Sequence, residues 1–120
     1  MSNELATNVK KIVKLLDSKK ASDIKAINIS ELSALADYFV ICSASNSSLV
    51  QSLADEVEEM MSKELGIEPT RAEGVRDGRW GVIDYGDVIV HIFNDDTRLF
   101  YHLERLWSDG ENMEKYVDED

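Results

Sequence analysis

Trp80-Gly-Val-Ile-Asp-Tyr-Gly-Asp-Val-Ile-Val-His-Ile-Phe93 is a pair of β-branched and aromatic runs joined by Gly86-Asp87. A two-residue connection with glycine first is the type II′ hairpin turn, because its first central residue needs a positive φ. The turn sets the register. Tyr85 opposes Val88, Asp84 opposes Ile89, Val82 opposes His91 and Trp80 opposes Phe93. Side chains alternate along a strand, so one hairpin face carries Trp80, Val82, Asp84, Ile89, His91 and Phe93. The other carries Gly81, Ile83, Tyr85, Val88, Val90 and Ile92, and is the expected core face.

A hairpin this apolar needs a sheet to join, and the chain upstream supplies one. Asp37-Tyr-Phe-Val-Ile-Cys-Ser43 is an unbroken apolar run of the kind that forms a strand buried on both faces. Asp23 to Ser30 alternates strictly, with Ile27 and Ile29 on one side, and reads as a half-buried strand. Helical spacing brackets these strands. Leu5, Val9, Ile12, Val13 and Leu16 form one stripe, with Lys10, Lys11 and Lys14 off it. Leu49, Val50, Leu53, Val57, Met60 and Met61 form a second, opened by a Ser48/Gln51 capping box and closed at Gly66. Pro69 to Gly78 reads as an edge strand or a loop. Asn94-Asp95-Asp96-Thr97 offers cap chemistry for a last helix with Leu99, Phe100, Leu103, Leu106 and Trp107 on its stripe. The order is α-β-β-α-(β)-β-β-α, and the expected fold class is α/β: a mixed β-sheet with flanking helices. Residues 1–109 make a single domain, and residues 110–120 an acidic C-terminal tail expected to be solvated rather than folded.

Composition narrows the function. The 120 residues are 43% hydrophobic, enough for one core, and carry a net charge of −11. That balance argues against non-specific nucleic-acid binding, which needs cations to displace counterions, and against a polybasic membrane anchor. The charge is uneven: residues 1–20 hold five lysines against Glu4 and Asp17, while acids dominate from residue 81 onward. The longest apolar run, Tyr38 to Cys42, falls far short of the roughly 20 residues that span a bilayer. The N-terminus lacks the pattern of a secretory signal. A lone Cys42 can form no internal disulfide, so a cytoplasmic setting is expected.

The inventory for catalysis is thin. A zinc site would have to gather Cys42, His91 and His102 without any C-x-x-C or H-x₃-H spacing, so no metal or cofactor is expected. Cys42 reads as a small buried hydrophobe. His91 and Asp84 lie diagonally on one hairpin face, where a carboxylate could raise an imidazole's pKa and prepare a base. With no nucleophile beside them, a structural or partner-facing pair is the better reading. Asp84 and Asp87 stand three apart around a turn. Metal-dependent nucleotidyl transfer places its acids at i and i+2 on one strand. The Ala44–Ser48 turn lacks phosphate-loop glycines and reads as an ordinary cap. Trp80 is the residue a purely structural account serves least well. With the Ile83/Val90 face turned to the helices, the Trp80/Phe93 face is left over, and an exposed apolar patch of that kind marks a partner site.

Taken together, Asp37-Tyr-Phe-Val-Ile-Cys-Ser43, the Leu49–Val57 helix, Glu73-Gly74, Trp80 to Phe93 and Arg98-Leu-Phe-Tyr-His-Leu-Glu-Arg-Leu-Trp107 resemble the ribosomal silencing factor family, RsfS/Iojap. The resemblance runs over roughly residues 5–108, with Ala44 where the family usually has glycine. It implies a nucleotidyltransferase-like fold without the catalytic carboxylates, and therefore no enzyme activity. It implies binding to ribosomal protein L-fourteen of the large subunit and a steric block to subunit joining, with a homodimer possible when the protein is free. A large-subunit assembly role on the same surface and a residual nucleotide-binding activity are the alternatives. The interaction surface implied by the resemblance comprises Trp80, Asp84 and Tyr85, with Gly86 and Asp87 shaping the turn, and Arg98 and Tyr101 from the following segment.

Overall fold

A computed structural model describes residues 3–31, 34, 36–95 and 113–114. Its elements are α1 (Asn3–Ser18), β1 (Ser22–Asn28), β2 (Tyr38–Ala44), α2 (Ser47–Met60) continued by a π-helical turn (Met61–Leu65) that Gly66 closes, β3 (Arg71–Glu73), β4 (Trp80–Asp84), β5 (Val88–Asn94) and β6 (Met113–Glu114). The six strands form one sheet in the order β3-β4-β5-β2-β1-β6. β2 and β5 run parallel at its centre, and the other neighbours are antiparallel. The sheet is mixed because α2 carries the chain across between β2 and the hairpin, as a parallel pairing requires.

Both α1 and α2 pack on one face. Val9, Ile12, Val13 and Leu16 from α1, and Val50, Leu53, Ala54 and Val57 from α2, close over Val40, Cys42, Ile83, Val88, Val90 and Ile92. The helical stripes and the expected core face of the hairpin thus meet each other. Every residue of β2 is buried, as its unbroken apolar run requires. The opposite face has its own cluster of Ile27, Ile29, Ala36, Phe39, Ile41 and Phe93, with Trp80 and Ile89 packed against it. Here the expectation of a left-over Trp80/Phe93 face is corrected: Phe93 is fully buried, while Trp80, Val82, Asp84 and Ile89 on that face remain partly open. Full burial of a side chain such as Phe93 stabilises by about 1.5–3 kcal/mol, so the second face contributes to folding.

The β4–β5 register is the one dictated by the two-residue turn: Trp80 opposes Phe93, Val82 opposes His91 and Asp84 opposes Ile89. Gly86 has φ 90°, the left-handed region that glycine enters without steric cost. The Tyr85 N–H donates to the Val88 carbonyl at 2.9 Å, and the Asp87 carbonyl accepts from the Asp37 and Tyr38 N–H groups at 2.8 and 3.1 Å. The turn is therefore tied to the entry of β2.

The open question over Pro69–Gly78 resolves into a three-residue edge strand, β3, followed by a tight loop. That loop depends on Gly74, with φ 75°, where an added Cβ would lie 2.2 Å from the Trp80 carbonyl oxygen. Two further expectations are corrected. The N-cap of α2 is Asn46, whose side chain accepts from the Leu49 N–H at 2.8 Å, and Gln51 Nε2 instead donates to the Arg76 carbonyl. Asn46 wins because its extended backbone and short amide reach an orphan N–H two residues earlier than Ser48 could. The tail is not wholly without regular structure, since Met113 and Glu114 pair with Ile27 and Ala26 on the outer edge of β1. An unpaired strand edge offers hydrogen bonds that composition alone does not weigh. The last predicted helix lies outside the described residues.

Candidate interaction surface

Trp80 opens β4 just after the Gly74 loop, and that position sends its indole along the second face toward β5. The ring stacks on Phe93 with centroids 4.9 Å apart and planes 22° from parallel. Its Nε1–H donates to His91 Nδ1 at 3.1 Å. His91 in turn meets the edge of Phe39, centroids 4.7 Å apart and planes at 66°. Phe39, Trp80, His91 and Phe93 thus form one aromatic cluster drawn from β2, β4 and β5.

The electrostatics of His91 correct the expectation for the His91–Asp84 pair. The ring is 6% exposed, and burial pushes the imidazole down to about 4, with the Asp84 charge only partly opposing. Desolvation outweighs the carboxylate because the charged ring would have to leave water almost completely. The indole N–H can only donate, so Nδ1 is bare and the single ring proton sits on Nε2. That Nε2 has no hydrogen-bond partner among the described residues. A buried unpaired donor costs about 1–3 kcal/mol. His91 is therefore a neutral acceptor for Trp80.

Asp84 shares the face of Trp80, four residues further along β4 and so about 13 Å away. Its Oδ1 accepts from the Gly86 N–H at 2.8 Å, and its Oδ2 lies 3.8 Å from Arg71 Nη2 on the neighbouring strand. Gly86 and Asp87 are exposed at the hairpin tip. Tyr85 departs from this group. It packs against the helical core, on the opposite side of the sheet. Burial, with the Glu58 and Glu68 carboxylates nearby, pushes its phenol above the usual range, and its hydroxyl has no partner among the described residues. Of the predicted surface, Trp80, Asp84, Gly86 and Asp87 therefore follow one edge of the hairpin, and Tyr85 looks the other way. Arg98 and Tyr101 lie outside the described residues.

Arg71 is a member that sequence reasoning missed. It pairs with Asp84 across β3 and β4, and the signal was hidden because the polar Pro69–Gly78 stretch has no alternation from which to read a register. An open cleft of about 620 Å³ between α2 and the Ala72–Asp77 segment was likewise unmarked; Gln51, Asp55, Glu58 and Arg76 line it. Burial and the neighbouring Asp55 and Glu68 raise the Glu58 carboxyl there. Cys42 sits in the helical core and His91 in the opposite cluster, so the two do not converge; His102 lies outside the described residues. Among the described residues, no three His, Cys, Asp or Glu side chains gather as a metal site would require. Nor is any described helix long and apolar enough to cross a membrane.

These features define a mixed-sheet α/β domain whose hairpin carries a half-buried tryptophan at one end and an exposed acidic tip at the other. The family model described as "RsfS: Ribosomal silencing factor during starvation" matches residues 2–120. The chain is 42% identical over 102 residues to the ribosomal silencing factor RsfS of Halalkalibacterium halodurans, covering 85% of this chain and 86% of that protein. It is 41% identical over 107 residues to the ribosomal silencing factor RsfS of Bacillus subtilis, covering 86% and 90%. A crystal structure of a Chromobacterium violaceum protein superposes with a TM-score of 0.79 at 28% identity, covering 89% of this chain and 87% of that one. The chain belongs to the ribosomal silencing factor family.

Proposed function

We propose that this protein docks on ribosomal protein L-fourteen of the large subunit and, by its bulk, keeps the small subunit from joining, so that translation is repressed in the cytoplasm. The observation that carries the reading is Trp80: a large aromatic, partly exposed, at the rim of a buried cluster. Interfaces concentrate their free energy in aromatic anchors of this kind. Asp84 and Asp87 give the same hairpin edge an acidic character that complements a basic ribosomal-protein surface. Silencing by occupancy needs no turnover, only an interface of standard size, about 800 Å² per partner. The free protein uses overlapping surface to form a homodimer, which subunit binding displaces.

Trp80→Ala tests the assignment. Sucrose-gradient co-sedimentation with separated subunits should find the parent chain on the large subunit alone, with fewer joined ribosomes. The variant, folded by circular dichroism, should bind at least about thirtyfold more weakly, the scale of a central aromatic hot spot. Undiminished binding by the variant would refute the assignment.

A further inference from the structure

We infer that His91 is the positioning residue of the Trp80 anchor: its bare Nδ1, fixed beneath the hairpin face, sets the direction in which the indole projects from the sheet. The inference rests on the reading of Trp80 as the docking side chain and goes beyond it by naming what orients that side chain. Stacking on Phe93 fixes the plane of the indole but tolerates sliding and flipping over the ring beneath. A hydrogen bond weakens steeply with angle and supplies the missing constraint. The Trp80 Nε1–H finds that bond 3.1 Å away at His91.

The acceptor is itself immobilised. His91 lies in β5 opposite Val82 of β4 and Ile41 of β2, with the edge of Phe39 against its ring. The choice of residue is informative, because the surrounding cluster is apolar and His91 Nε2 goes without a partner among the described residues. A phenylalanine or leucine would fill this place with no unpaired donor of its own, but would leave the Trp80 indole N–H without this acceptor. What an imidazole adds, and those residues cannot, is a single acceptor aimed at an indole donor. An anchor already held in its bound rotamer loses less entropy on docking, which is how preorganisation raises affinity.

Nitrogen-15 spectra of the unmodified chain test the bond without any substitution. At neutral pH, His91 should be protonated on Nε2 and bare on Nδ1, and the Trp80 indole proton should be shifted downfield and exchange slowly with water. A proton on Nδ1 would overturn the inference. His91→Phe keeps a ring and removes the acceptor, whereas His91→Asn places an amide oxygen close to where Nδ1 stood. Large-subunit affinity should fall about tenfold in the first and return to within about threefold of the parent in the second, with the Trp80 indole resonance moving and recovering in parallel. If His91→Phe binds like the parent while Trp80→Ala does not, His91 does not position the anchor, although the anchor stands. If Trp80→Ala also binds like the parent, the docking reading falls and takes the inference with it. Should the His91 variants fail to fold, the protonation pattern of the unmodified chain still decides.

Discussion

At His91, a charge that the ring does not carry becomes a property of the whole fold. Its imidazole titrates near 6.5 in an unfolded chain and at about 4 in the folded one. Between those values the unfolded state holds a proton that the folded state refuses, so stability rises with pH across the window. The contribution is complete above about pH 6.5, drains as pH falls toward about 4, and totals on the order of 3 kcal/mol. Urea unfolding from about pH 7 to about pH 5 should show a steeper loss in the parent chain than in His91→Phe, because most carboxylates, common to both, titrate lower. Equal slopes would show that His91 is not desolvated. This residue also marks how far the site was legible in sequence. The hairpin register placed His91 near Asp84, and the register is correct. The side chains then sort themselves by burial, which a register does not contain. Asp84 turns to the Gly86 amide and Arg71, and His91 turns to Trp80.

Among the elements, α2 shows what local pattern reading can and cannot resolve. Its stripe, the core it buries and the stop at Gly66, which closes its π-helical continuation, follow from periodicity and the glycine. Its start does not, because Asn46, Ser47 and Ser48 are all capping residues and a shift of one or two residues in the backbone decides among them. With Asn46 as the cap, Asn46→Ala should cost about 1 kcal/mol of stability while Ser48→Ala stays within about 0.5 kcal/mol. Chemical denaturation of the two variants checks this, and the reverse order would restore the Ser48/Gln51 capping box. β3 is the complementary case. A three-residue edge strand, all of it exposed, has no hydrophobic alternation to announce it. It exists because β4 offers an unpaired edge, so its position is a tertiary fact.

For the molecule as a whole, charges distant in sequence are joined in space. The lysines of the first twenty residues were the one basic stretch, and two of them are answered by acids from and just beyond α2: Lys11 by Glu64 at 3.3 Å and Lys19 by Glu56 at 3.8 Å. Exposed pairs of this kind contribute at most about 1 kcal/mol each. Their larger effect is to cancel part of the basic patch, leaving a molecule of net charge −11 with an acidic hairpin tip. Such a molecule is repelled by ribosomal RNA and steered toward basic protein surface. Stopped-flow association with isolated L-fourteen should therefore slow as salt rises past about 0.1 M, where the screening length is about 10 Å. A salt-independent rate would leave the charge as a matter of solubility alone. The fold class was legible at this scale because strands and helices alternate with clear periods. The burial of the second sheet face was not, since an apolar face reads alike whether covered or bare. The parallel pairing at the centre of the sheet has a consequence for the chain as it is made. Tyr38 and its register partner Val88 are fifty positions apart, whereas the β4–β5 hairpin needs only its own turn and can close within about 1–10 μs. Until residue 88 leaves the ribosome, the most apolar strand of the protein waits with one long edge open to any neighbour. The hairpin proposed as the docking element is thus also the piece that ends the nascent chain's exposure to aggregation.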